Sequence, residues 1–357
     1  MEILVVVGTL TGYGGIEVCV RSLARDAAAN GDTVRVLALC PSLNDGGWHE
    51  GLAYSEVSHG SSSLKKQIVQ GLPAFVRACK EHPPDAVIVI YSATLLMVRL
   101  GLLLAGLRRP VLAWLHFSLA YRQRTSLLRL ADAHLCISAE IAQATKRLPG
   151  VRSDGVHLVY NGTPMEAVRA MPRSTSGPLR VLHVGRLMQG SQKRTDDLLL
   201  ALAQVHGDWH LDLLGPACPE SDFDELRTLA EHLCIADRVT FHGRKTPPWE
   251  AVKAADVLVL CSAFEGFPLV LIEAMARGIP CLSSDCPSGP SDVIRPEENG
   301  WLFEVSDVAA LAARLQTLVD SREALPSAEA VRASVREFSS SKVFQRIRRA
   351  IEETVAA

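Results

Sequence analysis

Ser262-Ala263-Phe264-Glu265-Gly266-Phe267-Pro268, continuing as Leu269-Val270-Leu271-Ile272-Glu273-Ala274-Met275-Ala276-Arg277-Gly278-Ile279-Pro280, is the stretch that decides the fold. An apolar run ending at Leu260-Cys261 leads into a short turn, a proline stands where a first helical turn tolerates one, and a glycine stands where helices stop. The pattern predicts strand, loop, helix. Gly278 is the expected residue just past the helix, Pro280 blocks continuation, and Cys281-Leu282-Ser283-Ser284 resumes as a strand. The helix N-terminus then faces the loop at the C-terminal end of a parallel sheet, where free amides and the helix dipole favour an anion such as phosphate.

Two carboxylates mark this place. Glu265 precedes the helix and Glu273 lies about one and a half turns into it, roughly 8 Å along the axis. Carboxylates beside an anion site accept hydrogen bonds from hydroxyls, so a ligand carrying both phosphate and polyol fits. The plainer alternative is a Glu265 that caps the helix and a Glu273 on a solvated face.

A Glu, seven residues and a second Glu, with Gly266-Phe267-Pro268 after the first and Glu273-Ala274-Met275 at the second, resembles the signature of the retaining nucleotide-sugar glycosyltransferases of family four. Carried through Ser283-Ser284-Asp285-Cys286-Pro287-Ser288-Gly289-Pro290-Ser291-Asp292 and Asn299-Gly300, the stretch is most similar to the lipopolysaccharide 1,6-galactosyltransferase branch. The resemblance implies an α/β chain of GT-B fold, two facing Rossmann-like doubly wound parallel-sheet domains with a cleft between them. It also implies that Glu273 holds the ribose, that Glu265 holds the sugar hydroxyls, and that the segment Phe267, Pro268, Leu269 and Val270 turns its amides to the phosphates.

Length and composition agree with two domains. A chain of 357 residues is long for one core, and 48% hydrophobic residues with a mean hydropathy of +0.16 suffice for two. Net charge is only −2, but residues 1–170 hold 17 Lys/Arg against 13 Asp/Glu, whereas residues 171–357 hold 20 against 26. The basic half suits an anionic surface or acceptor, and nothing points to nucleic acid. Nine cysteines, an odd number lacking any close Cys-x-x-Cys pair, read as reduced, packed thiols of a cytoplasmic protein. The opening Met1-Glu2-Ile3-Leu4-Val5-Val6-Val7 has no basic leader and reads as a first strand, not a signal peptide. Residues 86–106 are almost wholly apolar and about as long as a bilayer span. Arg99 within them, and β-branched residues giving way to leucines, favour a buried strand followed by a helix. Peripheral contact with the inner membrane surface stays open.

Taken in order, residues 3–7 form a strand, four glycines fill residues 8–15, and a helix spans 16–29. The glycine spacing fails the Gly-x-Gly-x-x-Gly dinucleotide fingerprint, and the second strand, 33–39, does not end in a ribose-holding acid. An NAD-dependent reading is thereby weakened. By the resemblance, Gly14 and Gly15 with Glu17 form the loop whose amides reach the donor diphosphate. Residues 41–63 read as an irregular loop able to meet an acceptor, followed by a helix at 64–81, a strand at 86–91 and a helix at 95–107. His116 follows the strand 111–115, at the end of a parallel strand where binding groups collect. It either hydrogen-bonds nearby backbone or, by the resemblance, contacts the transferred sugar. Arg108, Arg109, Arg122, Arg124 and Arg129 are either a solvated face or a patch for phosphates of a lipid-linked acceptor.

After strands at 132–138 and 156–160, residues 171–178 have linker composition, which divides the chain into an N-terminal acceptor-side domain, 1–170, and a C-terminal nucleotide-sugar domain, 171–340. A basic terminal helix within 341–357 packs on either domain; the resemblance returns it to the first. The second domain repeats the alternation, with strands at 179–184, 210–215, 239–242 and 255–261 and helices at 195–205, 223–234, 249–254, 307–319 and 328–337. Arg186 and Lys193, soon after a strand and before a helix, are either ordinary surface basics or two cations aimed at one diphosphate; by the resemblance they neutralise the leaving nucleotide diphosphate. Whether Lys193 or Arg194 points inward is open. Asp222-Phe223-Asp224 opens a helix, where acidic residues complement the dipole, and no His/Cys cluster has metal-ligand spacing. The residues together with the resemblance imply a metal-independent enzyme needing no cofactor beyond its donor, which moves a hexose to a lipopolysaccharide-core or other lipid-linked glycan. The resemblance adds retention of configuration and leans to UDP-galactose. A nucleotide-sugar 2-epimerase of the same architecture and a non-catalytic sugar-binding protein are the alternatives.

Overall fold

The computed structural model describes every residue except 9, 11, 13, 43–46, 58–63, 120–123, 167, 175 and 357, and the side chains of 64, 65 and 67. It divides into two compact units, Met1–Pro164 with Phe338–Ala357, and Met165–Glu337.

The first unit holds seven strands: β1 (Glu2–Val7), β2 (Thr33–Ala38), β3 (Ala53–Glu56), β4 (Ala86–Val89), β5 (Val111–Leu115), β6 (Ala133–Cys136) and β7 (Val156–Leu158). They lie in the order β3-β2-β1-β4-β5-β6-β7, every pair parallel. β4 and β5 are buried along their whole length, so they read as unbroken apolar runs instead of alternating ones. Crossovers are made by α1 (Gly15–Ala29), α2 (Leu64–Glu81), α3 (Leu95–Ala105) and α4 (Ala139–Lys146). α2 packs on α3, and α1 packs on the terminal helix Ser340–Ala356. The stretch 41–63 is not wholly irregular, because β3 pairs with β2 along Arg35↔Ala53 to Ala38↔Glu56, while 43–46 and 58–63 lie outside the described residues. Residues 86–106 form a strand and an 11-residue helix, and among the described residues no helix is long and apolar enough to cross a membrane.

The second unit holds β8 (Leu179–Val184), β9 (Trp209–Leu214), β10 (Val239–Gly243), β11 (Val257–Leu260), β12 (Cys281–Ser284) and β13 (Gly300–Phe303), with α5 (Thr195–Leu202), α6 (Ser221–His232), α7 (Leu269–Ala276), α8 (Pro290–Val293), α9 (Val308–Asp320) and α10 (Ala328–Ser334). The strand order β10-β9-β8-β11-β12-β13 is again all parallel. Chain direction across the sheet reverses between β8 and β11, the switch point at which open α/β sheets leave a crevice. Leu179, Val181, Leu198, Leu202, Leu211 and Leu213, with their neighbours, make the core between this sheet and its helices. Met171 and Ser174 are tied to this unit: Met171 N–H donates to the Arg277 carbonyl at 2.9 Å and Ser174 N–H to Asp256 Oδ1 at 2.7 Å. The helix expected at 249–254 is only a short 3₁₀ turn, Pro248–Glu250, because paired prolines start it and nothing extends it.

Candidate active site

Both strands at the second unit's switch point end in loops that carry the candidate residues. β8 runs into Gly185-Arg186, and β11 runs into Ser262–Pro268. The loop between β8 and α5 is held by several bonds. Met188 N–H donates to Thr195 Oγ1 at 3.1 Å, Gln189 N–H to Asp222 Oδ2 at 2.9 Å and Gly190 N–H to Asp196 Oδ1 at 2.9 Å. Asp222 thus serves as a loop tether more than as a partner of its own helix dipole.

The two neighbouring cations that follow take different partners. Arg194 stands in the left-handed region at φ 46° before α5 and clasps Asp197 with two bonds, at 2.6 and 3.0 Å. Lys193 turns the other way, and its Nζ donates to Glu265 Oε1 at 2.6 Å. Ser262 Oγ donates to the same carboxylate oxygen at 2.6 Å. Glu265 does not cap α7; among the described residues no side chain does, and Pro268 at the cap contributes no N–H. The first amides of α7, at Leu269 and Val270, are left to the surroundings with the positive end of the helix dipole. Gly289 stands at φ +110° against this helix start, where a Cβ would lie 2.6 Å from Pro268 Cδ, so the loop after β12 closes directly on it.

Arg186 reaches the same loop through Gln192, which no sequence motif marks. Its guanidinium donates to Gln192 Oε1 at 2.7 Å, while Gln192 Nε2 donates to the Phe264 carbonyl at 3.1 Å and Ala263 N–H to the Gln192 carbonyl at 2.8 Å. Gln192 fastens one cation to the backbone that carries Glu265.

Glu273 is not a solvated face residue. Trp249 Nε1 donates to its Oε2 at 3.1 Å, and the Arg277 guanidinium sits 4.2 Å above the Trp249 ring. Burial pushes the Glu273 carboxyl above the ordinary carboxylate range, with the Trp249 hydrogen bond and the Arg277 charge pulling partly back. Beneath the Lys193–Glu265 pair lies His183, fully buried, its Nδ1 donating to the Val259 carbonyl at 3.1 Å. Burial lowers its pKa to about 4, the hydrogen bond opposing and the Lys193 charge reinforcing the shift.

In the first unit, His116 directly follows β5 and is buried, its ring 4.5 Å from that of Trp114. Gly14 caps α1 and Gly15 is its first residue. Glu17 folds back, and its carboxylate accepts the Gly12 N–H at 2.8 Å. Arg108, Arg124 and Arg129 are exposed, Arg109 is half-buried, and Arg122 lies outside the described residues. Among the described residues no group of three His, Cys, Asp or Glu is placed to hold a metal ion.

Comparison with known proteins supplies the rest. Residues 165–337 match the model of glycosyl transferases group 1, and residues 13–167 that of glycosyltransferase family 4. The chain is 32% identical to the lipopolysaccharide 1,6-galactosyltransferase of Escherichia coli K12, covering 100% of this chain and 99% of that one. It is 31% identical to the enzyme of the same name from Salmonella typhimurium, over 85% of each. The solved structure of the lipopolysaccharide outer core galactosyltransferase WaaB in its apo form superposes with a TM-score of 0.85, at 29% identity and 99% coverage of both chains.

Proposed function

The chain belongs to the group 1 and family 4 glycosyltransferases of GT-B fold and is closely related to the lipopolysaccharide 1,6-galactosyltransferases, and from that premise we propose a specific transfer. It moves galactose from UDP-galactose, with retention of configuration, to a hydroxyl of a lipopolysaccharide-core or similar lipid-linked glycan. Arg186 and Lys193 neutralise the pyrophosphate, Leu269 and Val270 offer it amides, Glu273 holds the ribose and Glu265 the sugar hydroxyls. Gly14 and Gly15 let backbone approach the donor, and His116 contacts the transferred sugar.

The observation that supports this most is the convergence at the β8–β11 switch point of two cations, an uncapped helix N-terminus and a carboxylate gripped by Lys193. In the proposed step the bond from sugar C1 to the β-phosphate oxygen breaks, its electron pair leaving with UDP. The acceptor oxygen bonds to C1 on the same face, and its proton passes to the departing phosphate. Positive charge from Arg186 and Lys193 stabilises that leaving group, so the scheme uses no divalent metal. A thermal-shift panel of UDP-, GDP- and ADP-sugars tests the donor assignment, because a ligand stabilises by RT ln(1 + [L]/Kd). UDP-galactose should raise the melting temperature most. Proton NMR of the product made with a lipopolysaccharide-core acceptor should show an α-linkage, and donor consumed equally without acceptor would favour the 2-epimerase.

A further inference from the structure

The first unit has a small cavity among residues to which the transfer gives no part. It is lined by Trp114 of β5, by Asn161 shortly after β7, by Cys19 and Ser22 of α1, and by Ser340 and Phe344 of the terminal helix. Close packing holds its outline. At Gly162 a Cβ would lie 2.6 Å from the Phe338 carbonyl oxygen and 2.9 Å from Val343 Cγ2, so the approach to the terminal helix presses directly on this turn. Thr163 N–H donates to the Phe338 carbonyl at 3.2 Å, and Ser340 N–H to the Thr163 carbonyl at 3.0 Å. The Arg25 guanidinium of α1 donates to Ser340 Oγ at 2.6 Å, which joins the two helices in the cavity wall.

Two polar atoms of the lining residues are covered and unpaired. Trp114 Nε1 and Asn161 Oδ1 belong to residues 1% and 4% exposed, and neither atom has a hydrogen-bond partner among the described residues. One is a donor and the other an acceptor. Buried groups of this kind are paired in folded proteins, with protein or with ordered water. The cavity measures about 10 Å³, close to what one water needs and too little for a larger ligand.

Trp114 also connects this place to the candidate site. Its ring centroid lies 4.5 Å from that of His116, with the two planes inclined at 52°. We propose that one ordered water occupies the cavity, accepting the Trp114 indole N–H and donating to Asn161 Oδ1, and that this bridge makes Trp114 and Asn161 positioning residues for His116. An indole fixed at its N–H is held from tilting at its contact with the imidazole, so the imidazole keeps one orientation toward the sugar. The positioning rests on the role assigned to His116; the water does not.

Nuclear Overhauser spectroscopy in the rotating frame tests the water on the full chain, deuterated and carrying ¹⁵N-labelled tryptophan. It needs neither donor nor acceptor, so it succeeds or fails apart from the assigned transfer. The Trp114 indole proton, identified by its loss in Trp114→Phe, should show a cross-peak to a long-lived water. Asn161→Leu, similar in volume but without the acceptor, should abolish that cross-peak. Each variant should lower kcat about fivefold at unchanged UDP affinity, and the double variant should lose no more than either, since both act through one water. A wild-type indole without a water cross-peak overturns the site, and a cross-peak that survives Asn161→Leu overturns Asn161 as its partner. Unchanged kcat in both variants, or losses that multiply in the double variant, overturn the positioning role.

Discussion

Lys193 Nζ lies 2.6 Å from Glu265 Oε1, with 14% and 9% of the two side chains exposed. A pair this withdrawn from water is costly to break from one side, because the remaining charge is left without a partner. Lys193→Met should cost about 3 kcal/mol of stability and lower kcat/KM about a hundredfold or more. Lys193→Met/Glu265→Gln should recover most of the stability and none of the turnover. Denaturant melts and steady-state kinetics on the single and double variants check both; recovered turnover would make the pair structural only.

Gln192 should matter in proportion to what it holds. Gln192→Ala frees Arg186 from the Phe264 backbone without removing its charge. A loss of roughly tenfold in kcat/KM is expected, against about a hundredfold for Arg186→Ala, since misplacement costs less than removal. Equal losses in the two variants would show that the tether, not the charge, is what acts.

Trp249 and Glu273 give a prediction about binding. Trp249→Phe keeps a ring beneath Arg277 but deletes the N–H that Glu273 accepts, so the Glu273 carboxyl should titrate higher still. UDP affinity should fall about tenfold with kcat little changed, the mark of an interaction equal in ground and transition states. The preference for UDP over its 2′-deoxy analogue should shrink in parallel, as calorimetry of both ligands would show.

How much of this was legible beforehand follows from what each residue depends on. Pro268 and Gly278 bracket α7 by local backbone rules, and Gly278 does stand at φ +85°, so strand, loop and helix could be read directly. β3 escaped because Ala53–Glu56 is a short, largely exposed edge strand without apolar alternation. β13 escaped because Gly300–Phe303 is only four residues long and follows a polar turn. Glu265 and Glu273 were identifiable as a pair, but their partners were not. Trp249 is 24 positions from Glu273, Lys193 is 72 from Glu265 and Gln192 is 72 from Phe264, distances bridged only by sheet topology. His183 sits inside an apolar strand and carried no signal of its place under the ion pair.

His183 sets a pH dependence whose sign follows from its burial. Its pKa is about 4 in the folded protein against about 6.5 unfolded, so the unfolded chain binds the extra proton first. Stability from this residue is fully present above pH 6.5 and is lost as pH falls toward 4, by about 3 kcal/mol in all. Melting temperature should decline across that window in wild type and less steeply in His183→Asn. Identical slopes would remove His183 as a source of acid sensitivity.

The most direct test is calorimetric titration of UDP into wild type, Arg186→Ala and Lys193→Met. Wild type should bind, and each variant should bind at least tenfold more weakly, about 1.4 kcal/mol, while remaining folded. Equal affinity in all three proteins, or no binding of any nucleoside diphosphate to wild type, would contradict a pyrophosphate site at the β8–β11 switch point.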